Sequence, residues 1–316
     1  MNNYSSLDVS TIICTTGDRE EELQLSIESV LLQSEPVGEL IIVWDCHDIP
    51  KSFENIHHQN TSIISVSTGS YRSGVSKARN LGISRSSCSL IALLDDDDYW
   101  YPKKIDTQIE FINSLTDENF FIISNALLVN ENYDVIRKSG GEREGNSTLQ
   151  LQEYFHNMPL RSAGIYIPTS SFLFHKSLSN KIFFDETMHS SEDLQFMLES
   201  VRNYPAFKIS SPLVLTKIRT LDKSGYSFTG FNLDHWSTWI SSNRLLTNRM
   251  RSNYHLYMGI KRLLYEGKIL NAMRLFVQKI FSGADAVTML SSATLILISV
   301  AKSVFQTKNS FRLKIR

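Results

Sequence analysis

The sequence predicts an α/β protein: a mostly parallel sheet flanked by helices, followed by a helical C-terminal extension. Three observations carry that expectation. Short β-branched runs alternate with helical periodicity through the first third of the 316 residues. A run of four aspartates closes one of the apolar runs. Charge also divides along the chain. From Arg244 onward, 13 Lys and Arg face only Glu266 and Asp285, leaving 19 basic against 31 acidic residues before it.

The elements follow in order. Val9–Cys14 is a short β-branched run suited to a buried strand, and Gly17-Asp18 turns the chain. Glu20 to Gln33 places Leu23, Ile27, Val30 and Leu31 at helical spacing. Leu40–Trp44 is a second strand ending at Asp45, and Ile63–Val66 a third. Val75–Ser84 reads as a short helix and Leu90–Leu94 as a fourth strand. Pro102 opens a helix with Ile105, Ile109 and Ile112 on one face. From Phe120 to about Thr229 short strands mix with loops, Glu142–Asn146 among them, before a helix from Ser191 to Asn203. Strands joined by helices imply a parallel sheet covered on both faces, with ligands beyond the strands' carboxyl ends. Thr15–Arg19, Asp45–Asp48 and Asp95–Asp98 are the residues to inspect.

Composition narrows the class. At 42% hydrophobic the chain is too apolar for disorder, and three scattered cysteines form neither a disulfide framework nor a zinc site. The first residues lack the basic and apolar regions of a secretory signal, so a cytoplasmic protein is expected. The basic segment has few stacking aromatics and the body is acidic, which argues against nucleic acid.

Asp95-Asp96-Asp97-Asp98 follows a buried strand directly. Adjacent ionised carboxylates need a cation or strong donors to coexist. In an extended stretch Asp95 and Asp97 share a face, and hard oxygen ligands suit Mg²⁺ or Mn²⁺ with phosphate oxygens completing the shell. An EF-hand is excluded, because Trp100 stands where its loop needs Gly.

Val9–Arg19, the Leu40–Asp45 strand, Gly74–Gly82 (GVSKARNLG) and Leu94–Pro102 (LDDDDYWYP) together resemble family-2 glycosyltransferases of the GT-A, Rossmann-like fold, over roughly residues 8–220. The resemblance implies a nucleotide-sugar half at about 1–125 and an acceptor half at about 126–230; the tail's own charge and spacing make 231–316 a basic amphipathic helical extension. It implies that Thr15 and Arg19 line the nucleotide pocket and that Asp45 accepts from the base, usually uracil. Arg79, with Lys77, would lie near the donor diphosphate. Asp95 and Asp97 would be the metal positions, Asp96 would approach ribose or sugar, and Asp98 the sugar or the metal's water shell.

Ser190-Ser191-Glu192-Asp193 opens the later helix, and a serine N-cap with acids in the first turn is ordinary helix chemistry. The resemblance implies Asp193 as catalytic base, with Glu192 orienting the acceptor. Thr169–His175 resembles the acceptor-side strand. No Arg-Trp occurs, so the resemblance implies a non-processive enzyme that adds one sugar, and direct displacement assisted by one base implies inversion. Arg219–Gly225 matches a late family segment without its usual histidine. The expected reaction moves a sugar from a nucleotide-sugar, UDP-linked, to a glycan or lipid-linked acceptor in surface polysaccharide assembly, O-antigen or capsule. A catalytically silent scaffold and a sugar-phosphate nucleotidyltransferase are the rivals, the latter lacking its Gly-rich loop here.

In the tail, basic residues intersperse an amphipathic stretch from Leu256 to Phe281, and Val287–Ala301 runs 15 residues without charge. A spanning helix needs roughly 20. The expectation is peripheral docking on the inner face of the cell membrane. The alternatives are packing on the body or on a second copy in a homodimer.

Overall fold

The computed structural model describes residues 2–53, 57–130, 132–139, 167–188, 191–217, 246–265 and 267–279, with scattered positions as far as 299. The loop expected at Glu142–Asn146, Ser190, the segment Arg219–Gly225 and much of 287–301 lie outside the described residues. The chain divides into two compact units, residues 1–149 with 166–231 and residues 150–165 with 232–316.

In the first unit the leading strands are β1 (Val9–Thr15), β2 (Glu39–Trp44), β3 (Ser62–Ser67) and β4 (Leu90–Asp95), joined parallel in the order β3-β2-β1-β4. β1, β2 and β4 are buried on both faces, as their continuous apolar runs require. The connections are α1 (Glu20–Leu31) and α2 (Val75–Arg85), with α3 (Lys104–Asn113) following β5 (Asp98–Trp100). α2 lies hard against the sheet because Gly82 has no side chain. A Cβ there would sit 2.5 Å from Ile12 Cγ2 and 3.0 Å from Val43 Cγ2.

Beyond β4 the sheet becomes mixed, which the expectation of a mostly parallel sheet did not foresee. β8 (Leu173–His175) runs antiparallel between β4 and β6 (Phe121–Val129), β9 (Ala206–Lys217) lies parallel to β6, and β5 pairs antiparallel with β9. β7 (Val135–Lys138) forms a hairpin with β6. The middle is therefore more strand-rich than short strands and loops. β9 reads as broken because Ser210-Ser211-Pro212 interrupts its apolar pattern. The ladder absorbs the interruption as a register shift, Ser124 pairing Ile209 and Asn125 pairing Pro212.

α4 (Glu192–Asn203) buries Leu194, Phe196, Met197 and Leu198. Phe196 stacks on Phe184 with ring centroids 4.1 Å apart and meets Phe174 and Phe121. In the second unit α5 (Asn248–Tyr265) and α6 (Ile269–Lys279) form a small core from Leu256, Ile260 and Ala272, joined by Ile296 from further along the chain. Among the described residues no helix is long and apolar enough to cross a membrane.

Candidate active site

The parallel register aligns Cys14 with Asp95 and Thr15 with Trp44, so the carboxyl ends of β1, β2 and β4 open on one side. There a cavity of about 260 Å³ is walled by Thr15 and Arg19, Asp45, Arg79, and Asp95, Asp96 and Asp97. Seven of the residues singled out from sequence thus come together. Cys14 faces the same cavity, but burial pushes its thiol up despite Arg79, so it stays protonated and is no nucleophile.

Arg19 spreads its guanidinium across the acidic run, Nη1 donating to Asp97 and Nη2 to Asp96. Burial opposes its charge, yet Asp97 and Asp96 outweigh that and raise its pKa. Asp96 is almost wholly buried. That burial pushes its carboxyl up to about 6 against the pull of Arg19.

Asp45 is committed to its own loop. Its Oδ1 accepts from Thr68 Oγ1 and Ser73 N, each at 2.9 Å, and from Ser73 Oγ, while Oδ2 accepts from Gly74 N at 2.9 Å. Gly74 lies at φ 115°, a conformation glycine supplies. By lone-pair count Oδ2 keeps one acceptor site for a ligand.

Arg79 lines the cavity with both outer nitrogens of its guanidinium already engaged. It is buried, donating from Nη2 to Asp95 Oδ1 at 2.7 Å and from Nη1 to Glu192 Oε1 at 2.8 Å, with its guanidinium 5.1 Å from the Phe184 ring. Burial works against its charge, but Asp95 and Glu192 prevail and hold it further up. The Glu192-Asp193 pair, distant in sequence, is thereby tied to the acidic run. Asp193 follows on the same turn of α4. Its carboxyl is pushed up to about 7, first by burial and then by the neighbouring Glu192 charge, with Arg79 pulling the other way.

Three expectations need correction. Asp98 does not reach the cavity: it begins β5 and turns inward, its Oδ2 accepting from Ser170 Oγ at 2.5 Å and Thr216 Oγ1 at 3.2 Å. There burial raises its pKa well above the usual carboxylate range. Lys77 is half-buried on α2 and is not part of the cavity wall among the described residues. Ser191 makes no side-chain cap; its backbone is left-handed at φ 60°. Such a conformation costs a non-glycine residue about 1–2 kcal/mol and tends to persist where function holds it.

Sequence reasoning passed over Ser170. Its hydroxyl donates to Asp98 and accepts from Asp95 N at 3.0 Å, and its carbonyl accepts from Trp100 Nε1 at 2.8 Å. It pins both ends of the acidic run. The only signal was its position in Thr169–His175.

For a divalent cation, Asp95 and Asp97 supply hard oxygens at the cavity, and each uses one named oxygen on an arginine, Asp95 Oδ1 and Asp97 Oδ2. Among the described residues no three acidic, His or Cys side chains gather as a closed metal cage. The donor set fits a two-carboxylate site completed by phosphate and water, as Mg²⁺ and Mn²⁺ prefer.

A sheet whose strand ends gather carboxylates and guanidinium groups in one cleft is built to hold a polar, anionic ligand beyond those ends. The sequence profile of glycosyl transferase family 2 matches residues 10–179, and the chain belongs to that family. It is 25% identical over 262 residues to the Escherichia coli UDP-Glc:alpha-D-GlcNAc-diphosphoundecaprenol beta-1,3-glucosyltransferase WfgD, covering 82% of this chain and 96% of that protein. It is 32% identical over 117 residues to the putative teichuronic acid biosynthesis glycosyltransferase TuaG of Bacillus subtilis, covering 35% of this chain and 44% of that one. In fold it is similar to S. aureus TarS 1-349 crystallised with UDP-GlcNAc, at TM-score 0.58 and 14% identity over 95% of this chain and 92% of that one. The GT-A fold is common to both.

Proposed function

We propose that this glycosyltransferase moves one sugar, with inversion, from a UDP-linked donor to a hydroxyl of a lipid-linked glycan during assembly of a surface polysaccharide. The observation that carries the reading is the Arg79 bridge, which joins Asp95 at the cavity to Glu192 on the helix bearing Asp193. The WfgD name supplies the donor and acceptor class, a UDP-sugar and a sugar on a polyprenyl diphosphate.

Thr15 and Arg19 flank the donor, and the free lone pair of Asp45 Oδ2 accepts an N–H from the base. Asp193, near 7, takes the proton of the acceptor hydroxyl as that oxygen bonds to the anomeric carbon. The bond from that carbon to the diphosphate oxygen breaks, and UDP leaves with the electron pair. One displacement inverts the configuration. Glu192, held by Arg79, orients the acceptor. Asp95 and Asp97 would hold Mg²⁺ or Mn²⁺, which when bound neutralises charge on the leaving diphosphate. The enzyme works at the inner face of the cell membrane, where such an acceptor is presented.

The test is transfer from a panel of UDP-sugars to a short-chain polyprenyl-diphosphate GlcNAc, with Mn²⁺ and with chelator. Expected are a single-sugar product, loss of UDP binding on chelation and in Asp97→Ala, and an Asp193→Asn variant that binds donor without turnover. Donor binding with no transfer to any lipid-linked acceptor overturns the reading in favour of a silent scaffold.

A further inference from the structure

α6 is apolar on two opposite sides. Ala272, Leu275 and Phe276 face α5 and its core, so closely that a Cβ on Gly259 of α5 would lie 2.6 Å from Leu275 Cδ2. Leu270, Met273 and Val277 fall within one 100° arc on the other side, and they stand 73%, 45% and 60% exposed. A soluble helix covers one such stripe and turns charge outward; here the outward side holds the large residues. Leu290 and Leu297, seven residues apart in the same unit, are as exposed as Leu270.

Charge selects what covers this stripe. Lys268 and Arg274 are exposed on the same helix or at its start, and the segment from Arg244 holds 13 basic residues against two acidic ones. An apolar strip with Arg274 at its edge, in a strongly basic segment and too short to cross a bilayer, fits the headgroup layer of an anionic leaflet, where apolar burial and attraction to lipid phosphates act together. A protein partner would meet the same strip, but a second copy would bring a second set of like charges to it.

We infer that the outer face of α6, through Leu270, Met273, Val277 and Arg274, docks the protein on an anionic membrane surface. The proposed lipid-linked acceptor is what gives such docking its use; the surface itself is argued from the tail's own residues.

The experiment is flotation of the full chain with vesicles of phosphatidylglycerol mixed with phosphatidylcholine, or of phosphatidylcholine alone, with no sugar substrate present. Binding is thus read independently of transfer. The chain is expected to float with the anionic vesicles, to stay behind with the neutral ones, and to be released by salt. The triple variant Leu270→Gln, Met273→Gln, Val277→Gln is expected to partition about a hundredfold less, with its thermal unfolding unchanged because none of the three packs in the core. Arg274→Glu, which leaves the apolar strip intact, is expected to lose about tenfold and serves if the triple variant misfolds. Flotation with neutral vesicles as readily as anionic ones overturns the inference. So does equal flotation by the variants, or a triple variant that turns a dimer into a monomer while still floating.

Discussion

Arg79→Met removes the one cation between two carboxylates, and its cost follows from their burial. Glu192 is 11% and Asp95 31% exposed at the side chain, while Arg79 is at 6%. Breaking a buried pair by removing one partner costs about 3–5 kcal/mol, because the survivor keeps a buried charge without compensation. Asp95 is the wetter partner, which favours the lower end, about 3 kcal/mol. In a unit of this size each kcal/mol moves the melting temperature by about 2–4 °C, so a fall of roughly 6–12 °C is expected near pH 8. Thermal unfolding of the parent, Arg79→Met and Arg79→Lys near pH 8 measures this. Arg79→Lys keeps the charge and loses the fork, and it should fall between the two. A methionine variant as stable as the parent near pH 8, or a lysine variant no more stable than the methionine one, refutes the reasoning that the bridge is electrostatic.

Asp193→Asn should reduce turnover by about 10²–10⁴-fold, and the parent's kcat/KM should rise with pH through an acid limb near 7. The stability effect has the opposite sense. The native Asp193 binds a proton across the window from its unfolded value of 3.8 to about 7, so its burial costs stability as pH rises through that range. The asparagine variant should therefore melt above the parent near pH 8 and level with it near pH 4; a variant that melts lower at both sinks the assignment. Gly82→Ala drives a methyl into Ile12 and Val43 and should cost about 1–3 kcal/mol, read as a lower urea midpoint at unchanged slope. Ser191→Gly removes the left-handed penalty and should stabilise by about 1 kcal/mol; destabilisation would show that the serine hydroxyl holds something there.

β1, β2 and β4 were legible because strands buried on both faces leave unbroken apolar runs, and the residues after them necessarily share an edge. The same reasoning misread Asp98. The four aspartates look equivalent in sequence, but the chain re-enters a strand at the fourth, which sends that side chain under Ser170 and Thr216. Arg79 was singled out as a cation for the donor diphosphate; its partner Glu192 lies 113 residues away, and no local pattern announces such a pairing. Ser190 and Ser191 both read as N-cap candidates; Ser191 takes the cap position, but its left-handed backbone makes no side-chain cap, which composition alone does not announce. The length of β9 was hidden by the polar break that its register shift accommodates.

The commitments of Asp45 bear on how this cleft could change its preference. One carboxylate organises residues 68–74 through Thr68, Ser73 and Gly74. Replacing it would unfasten a loop before it altered any selectivity. A lineage seeking a different base has readier routes through Thr15 and Arg19, whose replacement leaves that loop fastened, and Asp45 should resist drift even while its neighbours vary.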